Sequence, residues 1–303
     1  MAEEAVVPCT IHLSKINVTV LGVLCVFGFL YYVSVFCVIV PWLSYSVPGI
    51  TNMGVLTVTT CLSLYCYMFC VMLDAGRPPP NYQPDQEASS ILEVKRKDGA
   101  PRYCQKCQQF KPPRSHHCRK CQRCVLRMDH HCPWTNNCIG HANYRAFFLF
   151  LICEQLAVCM FAHVCKTSSP SVLPSLLGGT HTHIRTYNAL AFAVALPLTI
   201  SLLLLFVWHV QLVMVNKTTI EYQEGVTASI NAAASGAPLP DLRRHPYDLG
   251  LYVNLMTILG SNPAVWPLPP CAPTPGGTSY STKWDLLSAA DAEEHEARLL
   301  GLT

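Results

Sequence analysis

Asp129-His130-His131-Cys132 places a carboxylate, two imidazoles and a thiol in consecutive positions, and it lies inside a denser pattern. Seven of the 17 cysteines fall between Cys104 and Cys138, with His116, His117, His130 and His131 among them. Cys104, Cys107, His117 and Cys124 reappear 14 residues later as Cys118, Cys121, His131 and Cys138, and each set reads C-x2-C-x9-H-x6-C. Three thiolates and one imidazole are the complement of a closed tetrahedral structural zinc site. The spacing therefore predicts two structural zinc ions. Cys118 and Cys121 of the second set lie between His117 and Cys124 of the first, so the two sites must fold as one unit. A segment this short has little apolar core, and metal binding would supply much of its folding free energy.

Cys132 follows Cys118 by 14 residues but cannot open a third set, because the position 14 after Cys121 is Thr135. It is a thiol set beside a metal-held scaffold with no ligand role. A nucleophilic thiol needs a base and a group that orients the base. His130 can be that base, and Asp129 can fix its tautomer and stabilise the imidazolium. His131 belongs to the zinc pattern and would hold the neighbouring Cys132 in place. His116 and His141 are left with at most a bond to a ligand or to the active segment.

The remainder of the chain must position this segment. Only 13% of the 303 residues are charged and 51% are hydrophobic, against about one quarter charged in an average protein. That excludes a disordered chain, a collagen-like repeat and a small disulfide-stapled secreted module. No Asp, Glu, Lys or Arg occurs in the 58 residues between Lys15 and Asp74. A span needs about 20 apolar residues, so two transmembrane helices are expected near 17–40 and 50–73, with Trp42 and Tyr45 in the turn between them. Further spans are expected at 146–165 and 187–215, the former weakened by Glu154. Residues 74–145 carry 13 Lys and Arg against 6 acids, whereas the expected outer loops carry almost none. By the positive-inside rule this segment and both termini are cytosolic. The expected organisation is a cytosolic N-terminus (1–16), two spans (17–73), a cytosolic segment (74–145) holding the cysteine-rich domain (102–143), two more spans (146–215) and a cytosolic C-terminal region (216–303).

With these residues in view, the chain resembles the DHHC family of protein S-acyltransferases, the palmitoyltransferases. The likeness covers Arg102 to Asn143, including Lys111-Pro112-Pro113-Arg114, the Asp129-His130-His131-Cys132 signature, Pro133-Trp134 and Asn137-Cys138-Ile139-Gly140. It extends to the four-span layout, to Thr218-Thr219-Ile220-Glu221 after the fourth span, and to Asn254 with Gly260. The resemblance implies acylation of Cys132 by palmitoyl-CoA and passage of the acyl group to a substrate cysteine. It implies catalytic roles for Asp129, His130 and Cys132, an acyl cavity among the helices with Trp134 near its mouth, and supporting contacts from Thr219 and Asn254. The implied partners are protein substrates with membrane-proximal cysteines, acyl-CoA and the lipid bilayer, with no nucleic acid. The implied residence is an endomembrane (Golgi or ER) or the plasma membrane.

Arg102, Lys106, Arg119, Lys120, Arg123 and Arg127 are available for CoA phosphates, for lipid headgroups or for solvation alone. A zinc-finger binding module and an inactive scaffold are the competing classes; the membrane tether and the unliganded Cys132 count against the first, and the retained Asp129, His130 and Cys132 against the second. Glu154 could face a cavity or pair with His163, and His209 could simply hydrogen-bond at the interface. The proline-rich stretch 263–277 is expected as a disordered tail and 284–300 as an acidic amphipathic helix. Cys271 has no assigned role.

Overall fold

The structure is a computed structural model that describes residues 13–84, 101–167, 182–224 and 245–283 apart from 271, 273 and 275, without the side chains of residues 13, 42 and 160–189. The expected His163 pairing, the interfacial Trp42, the role of Cys271 and the 284–300 helix lie outside the described residues.

Helices occupy all four expected spans. α1 (Val18–Tyr32) starts at Asn17, whose side chain accepts the Val20 amide, and continues through a widened π-helical stretch, Val33–Ile39, into α2 (Val40–Leu43). Pro41 lacks the amide that would close a regular turn there, and Val40 bonds back five residues to Val35 instead. α3 (Val47–Met72) is capped by Ser46, whose hydroxyl accepts the Gly49 amide. Three of its threonine hydroxyls are satisfied within the helix, Thr51 donating to the Val47 carbonyl, Thr57 to Met53 and Thr59 to Val55, as a lipid environment requires. α4 (Tyr144–Thr167) packs along α3, and α5 (Thr182–Met214) packs against α4. Val18–Ile39, Val47–Met72 and Leu190–Met214 are long and apolar enough to cross a membrane. α4 carries Glu154, to which Ser63 of α3 donates a short hydrogen bond. A partner on the facing helix is how a carboxyl is tolerated at that depth.

Between α3 and α4 the chain folds into three antiparallel hairpins: β1 (Tyr103–Cys104) with β2 (Gln109–Phe110), β3 (His116–Cys118) with β4 (Arg123–Val125), and β5 (His130–Cys132) with β6 (Asn137–Ile139). Their turns share one backbone feature at the 14-residue step. Gln108, Gln122 and Asn136 all adopt left-handed φ, at 53°, 55° and 50°, which is uncommon outside glycine.

The hairpins are seated on the helix ends by polar side chains that take up orphan carbonyls. The Asn137 amide donates to the carbonyls of Cys70, Val71 and Leu73 where α3 ends. Asp74 pairs with Arg123 of β4 at 2.9 Å and with Arg77 at 2.7 Å. After α5 come α6 (Thr219–Glu224) and α7 (Leu251–Leu259). Asn254 of α7 donates to the Met214 carbonyl at 2.7 Å and closes the end of α5.

The described residues of the proline-rich stretch, expected to be disordered, are laid against other elements. Arg145 donates to the Val265 and Leu268 carbonyls, Tyr65 to Pro270, and the Thr274 amide to Ala142. Tyr280 then meets His141 at 2.9 Å. Proline composition fixes backbone stiffness, and these carbonyls supply acceptors that composition does not reveal.

Arg114, just before β3, is the main tie between the hairpins and the chain beyond α5. It is 1% exposed and donates twice to Glu221, at 2.7 Å each, and to Asn216 at 3.0 and 2.7 Å, with Tyr247 and Tyr280 over its guanidinium. Burial opposes ionisation of Glu221, but Arg114 outweighs it and holds the carboxyl well below its usual range. Its stabilising contribution is thus complete above the usual carboxylate range, about pH 4.3, and is lost as the pH falls through the lower folded value. We expect Glu221→Gln to cost about 3–5 kcal/mol, the scale of a broken buried ion pair. In thermal unfolding of the detergent-solubilised protein, the variant should also show a shallower loss of stability below about pH 4 than the wild type, with Asp129 and Asp74 supplying the remainder.

Candidate active site

Each hairpin turn meets the strands of the next hairpin. Cys104 and Cys107 flank the first turn, and His117 and Cys124, cross-strand partners in the second hairpin, complete a cluster with them. Cys118 and Cys121 flank the second turn, and the cross-strand pair His131 and Cys138 of the third hairpin completes the other. In the first cluster His117 Nδ1 lies 3.5 and 3.3 Å from the Cys104 and Cys107 sulfurs. In the second, His131 Nδ1 lies 3.7, 3.5 and 3.7 Å from Cys118, Cys121 and Cys138, and the sulfurs of Cys121 and Cys138 are 3.5 Å apart. A tetrahedron with arms of about 2.3 Å has edges of about 3.7 Å. Both clusters therefore fit zinc, all eight donors belonging to the 14-residue repeat.

The array ends differently on each side. In the first hairpin Tyr103 and Phe110 hold the cross-strand positions that carry His117 and Cys124 in the second, and their rings meet edge-on at 5.2 Å. In the third, Cys132 and Thr135 hold the turn positions that carry Cys118 and Cys121 in the second, and among the described residues no fourth hairpin closes them. In the second turn the Cys121 amide donates to the Cys118 sulfur at 3.3 Å. In the third turn the Thr135 hydroxyl donates to the Cys132 carbonyl at 3.4 Å. Cys132 thus occupies a metal-knuckle turn whose thiol faces His130.

His130 Nδ1 donates to Asp129 Oδ2 at 2.7 Å, which leaves Nε2 for the Cys132 sulfur. Asp129 is fully buried and accepts from the Thr219 amide and hydroxyl, each at 2.9 Å. Burial disfavours its charge, but His130 and Thr219 outweigh burial and hold the carboxyl below its usual value. Burial also disfavours the His130 cation, yet the bonds to Asp129 and Cys132 raise its pKa to about 9. For Cys132 burial favours the thiol, and the bond to His130, helped by Thr135, brings its pKa below the ordinary value. The three groups form a chain, carboxylate to imidazole to sulfur, suited to holding a thiolate beside an imidazolium.

The site lies where the helices converge. Cys132, Ile139, Tyr144, Phe147, Phe148 and Leu151 share a core with Cys70 of α3, Val213 of α5 and Ile258 and Leu259 of α7. Gly140 permits the close fold-back into α4, because a Cβ there would come within 2.8 Å of the Leu126 carbonyl. Trp134, at the tip of the third hairpin, is 64% exposed, and its carbonyl accepts the Tyr67 hydroxyl at 2.8 Å.

The basic residues divide by position. Arg102 donates to the Ser115 carbonyl, Arg123 pairs with Asp74, and Arg127 is buried over the Tyr144 ring at 4.8 Å. Lys106, Lys111 and Arg119, with His116 and His117, line a cavity of about 320 Å³ on the first cluster, and Lys120 is exposed. Sequence reasoning passed over Lys111 for this role, and gave Tyr144, Thr135 and Arg114 no part in the site. Position in the 14-residue register could have marked Thr135, since it stands where a ligand cysteine is expected.

Comparison with known proteins agrees with this geometry. Residues 97–226 match the family model described as DHHC palmitoyltransferase. The chain is 42% identical over 280 residues to the Arabidopsis thaliana protein named "Probable protein S-acyltransferase 16", covering 90% of this chain and 95% of that one. It is 36% identical over 265 residues to "Probable protein S-acyltransferase 15" of the same plant, covering 85% and 99%. The chain belongs to the DHHC palmitoyltransferase family. Human "Palmitoyltransferase ZDHHC20" is 36% identical over 187 residues, 60% of this chain and 47% of that protein. As a DHHC enzyme the chain is an integral multi-pass membrane protein and a protein S-acyltransferase, with two Cys3His clusters between its second and third long helices.

The donor sets give a direct test on the DHHC protein. Elemental analysis of the purified chain should find two zinc ions per molecule. Cys132→Ser should keep both, whereas Cys121→Ala should lose at least one together with the cooperative unfolding transition; loss of zinc from Cys132→Ser would place that sulfur among the ligands.

Proposed function

We propose that Cys132 is the nucleophile of a two-step acyl transfer from a long-chain acyl-CoA, most simply palmitoyl-CoA, to cysteine thiols of membrane-associated proteins. The observation that carries the proposal is the Asp129–His130–Cys132 chain, with its 2.7 Å carboxylate–imidazole bond, at the foot of the helices. In the first step the Cys132 thiolate attacks the thioester carbonyl. A sulfur–carbon bond to Cys132 forms, the bond to the CoA sulfur breaks, and the departing CoA thiolate takes the proton held on His130. In the second step a substrate thiol gives its proton to His130 and attacks the acyl-enzyme, and Cys132 leaves as thiolate. One thioester is exchanged for another in each step, so neither needs an outside energy source.

Asp129 keeps His130 in the tautomer with Nε2 toward sulfur and stabilises the imidazolium. Thr219 and Asn254 act at a remove, Thr219 by holding Asp129 and Asn254 by closing the helix end that precedes Thr219. The two zinc ions, bound by the eight donors, would serve as structural ties. The cavity lined by Lys106, Lys111 and Arg119 supplies positive charge for the CoA phosphates. Trp134, exposed at the hairpin tip, is suited to the edge of the acyl path. The 13 basic residues of 74–145 support a cytosolic placement of this segment and of both termini. Acyl-CoA and substrate cysteines near the membrane would then be reached from the same side.

Incubation of the purified protein with labelled palmitoyl-CoA should place a hydroxylamine-sensitive label on Cys132. Cys132→Ser should abolish it. Asp129→Asn and His130→Gln should slow it about 10²-fold or more, the scale of a lost general base. Full labelling of Cys132→Ser overturns the assignment.

A further inference from the structure

His209 is a buried imidazole that the acyl-transfer reading leaves unused. It lies on α5, 77 residues beyond Cys132, and is 1% exposed. Its Nδ1 is 2.9 Å from the Tyr144 hydroxyl. Its ring stands nearly perpendicular to that of Phe147, at 5.0 Å, and 6.1 Å from the ring of His130. Phe147 in turn meets His130 edge-on at 5.4 Å. One ring nitrogen of His209, one of His130 and a carboxylate oxygen of Asp129 all lie within 4.8 Å of one another. Two rings from two helices, Phe147 of α4 and His209 of α5, therefore close on the proposed base.

The bond from His130 to Asp129 fixes one atom of the imidazole but not the plane of the ring, which can still turn about that bond. Phe147 and His209 restrict that freedom. His209 is itself held by Tyr144, whose ring lies 4.8 Å beneath the Arg127 guanidinium. A hydrogen bond to Nδ1 and a perpendicular aromatic contact leave the His209 side chain a single orientation. Thr219, ten residues further along the chain, grips Asp129. The end of the last span and the residues that follow it thus contact both members of the acid–base pair.

We propose that His209 is a positioning residue for acyl transfer: its ring, anchored by Tyr144 and packed with Phe147, sets the plane of His130 and so the alignment of Nε2 with the Cys132 sulfur. The proposal rests on the acyl-transfer reading above. Misalignment of a catalytic group by about 1 Å can cost about 10²-fold in rate, while acyl-CoA binding does not depend on the His130 plane. The effect belongs in kcat and not in KM.

The test uses the full-length protein in nanodiscs with labelled palmitoyl-CoA, comparing acyl-enzyme formation by wild type, His209→Phe, His209→Gln and Tyr144→Phe. Phe fills the ring volume without a hydrogen-bonding atom, and Gln keeps an acceptor for the Tyr144 hydroxyl. We expect His209→Phe to lower kcat by about 10- to 100-fold, with KM for palmitoyl-CoA, zinc content and melting temperature close to wild type. His209→Gln, which keeps the anchor but lacks the ring, should recover only part of the loss, and Tyr144→Phe, which removes only the anchoring hydroxyl, should show part of it. Wild-type kcat in His209→Phe overturns the inference, as does a loss that tracks zinc content or melting temperature across the variants. If the wild type itself takes no label on Cys132, the acyl-transfer reading fails and this inference with it; labelling of Cys132 with His209→Phe unimpaired overturns this inference alone.

Discussion

Three hairpins with strands of two or three residues share only a small apolar cluster, Val125 and Met128 with Cys118, Cys138 and Ala75, and the described strands form no sheet larger than a pair. Their relative placement falls to the two donor clusters, each of which joins the turn of one hairpin to the paired strands of the next. Any group carried on the third hairpin is therefore positioned through two successive junctions from the first. Asp129, His130 and Cys132 all sit at that third hairpin, so the alignment of the proposed reacting groups depends on donor sets in which they take no part.

The domain is also held from the membrane side, through atoms that helices leave unsatisfied. Asn137 takes the last carbonyls of α3, Asn254 takes one from α5, and Arg114 collects both the Asn216 carbonyl and the Glu221 carboxylate beyond it. These are buried polar contacts between elements far apart in sequence, and leaving any of them unmet would cost about 1–3 kcal/mol. They convert the ends of the helices into a seat of fixed geometry, so that the apolar core around Phe147 and Leu151 meets Cys132 at a defined depth.

The donors and the odd cysteine were legible in the sequence because they follow a strict period, and period survives without knowledge of the fold. The spans were legible because charge is absent over long runs. Glu154 blurred one of them, and its partner Ser63 lies 91 residues away on another helix. The pairing of Tyr144 with His209, which the sequence suggested only as an interfacial hydrogen-bonding residue, was hidden for the same reason: each is ordinary in its own helix, and they meet only when α4 and α5 pack together. Proline density in 263–277 suggested a loose tail, whereas the contacts made there depend on Arg145 and Tyr65 of the helices.

The 14-residue step has a consequence in counting. When every unit is closed by its successor, a row of any length has one fewer junction than it has units, and the final turn stays open. Aromatic packing of Tyr103 on Phe110 finishes the first unit, but among the described residues nothing finishes the last, whose turn keeps the left-handed φ of its predecessors at Asn136. In the proposed reaction, a geometry suited to presenting sulfur to a metal presents sulfur to a carbonyl carbon instead. A thiol without a fourth unit to receive it follows from the end of the row itself, with no new structural motif.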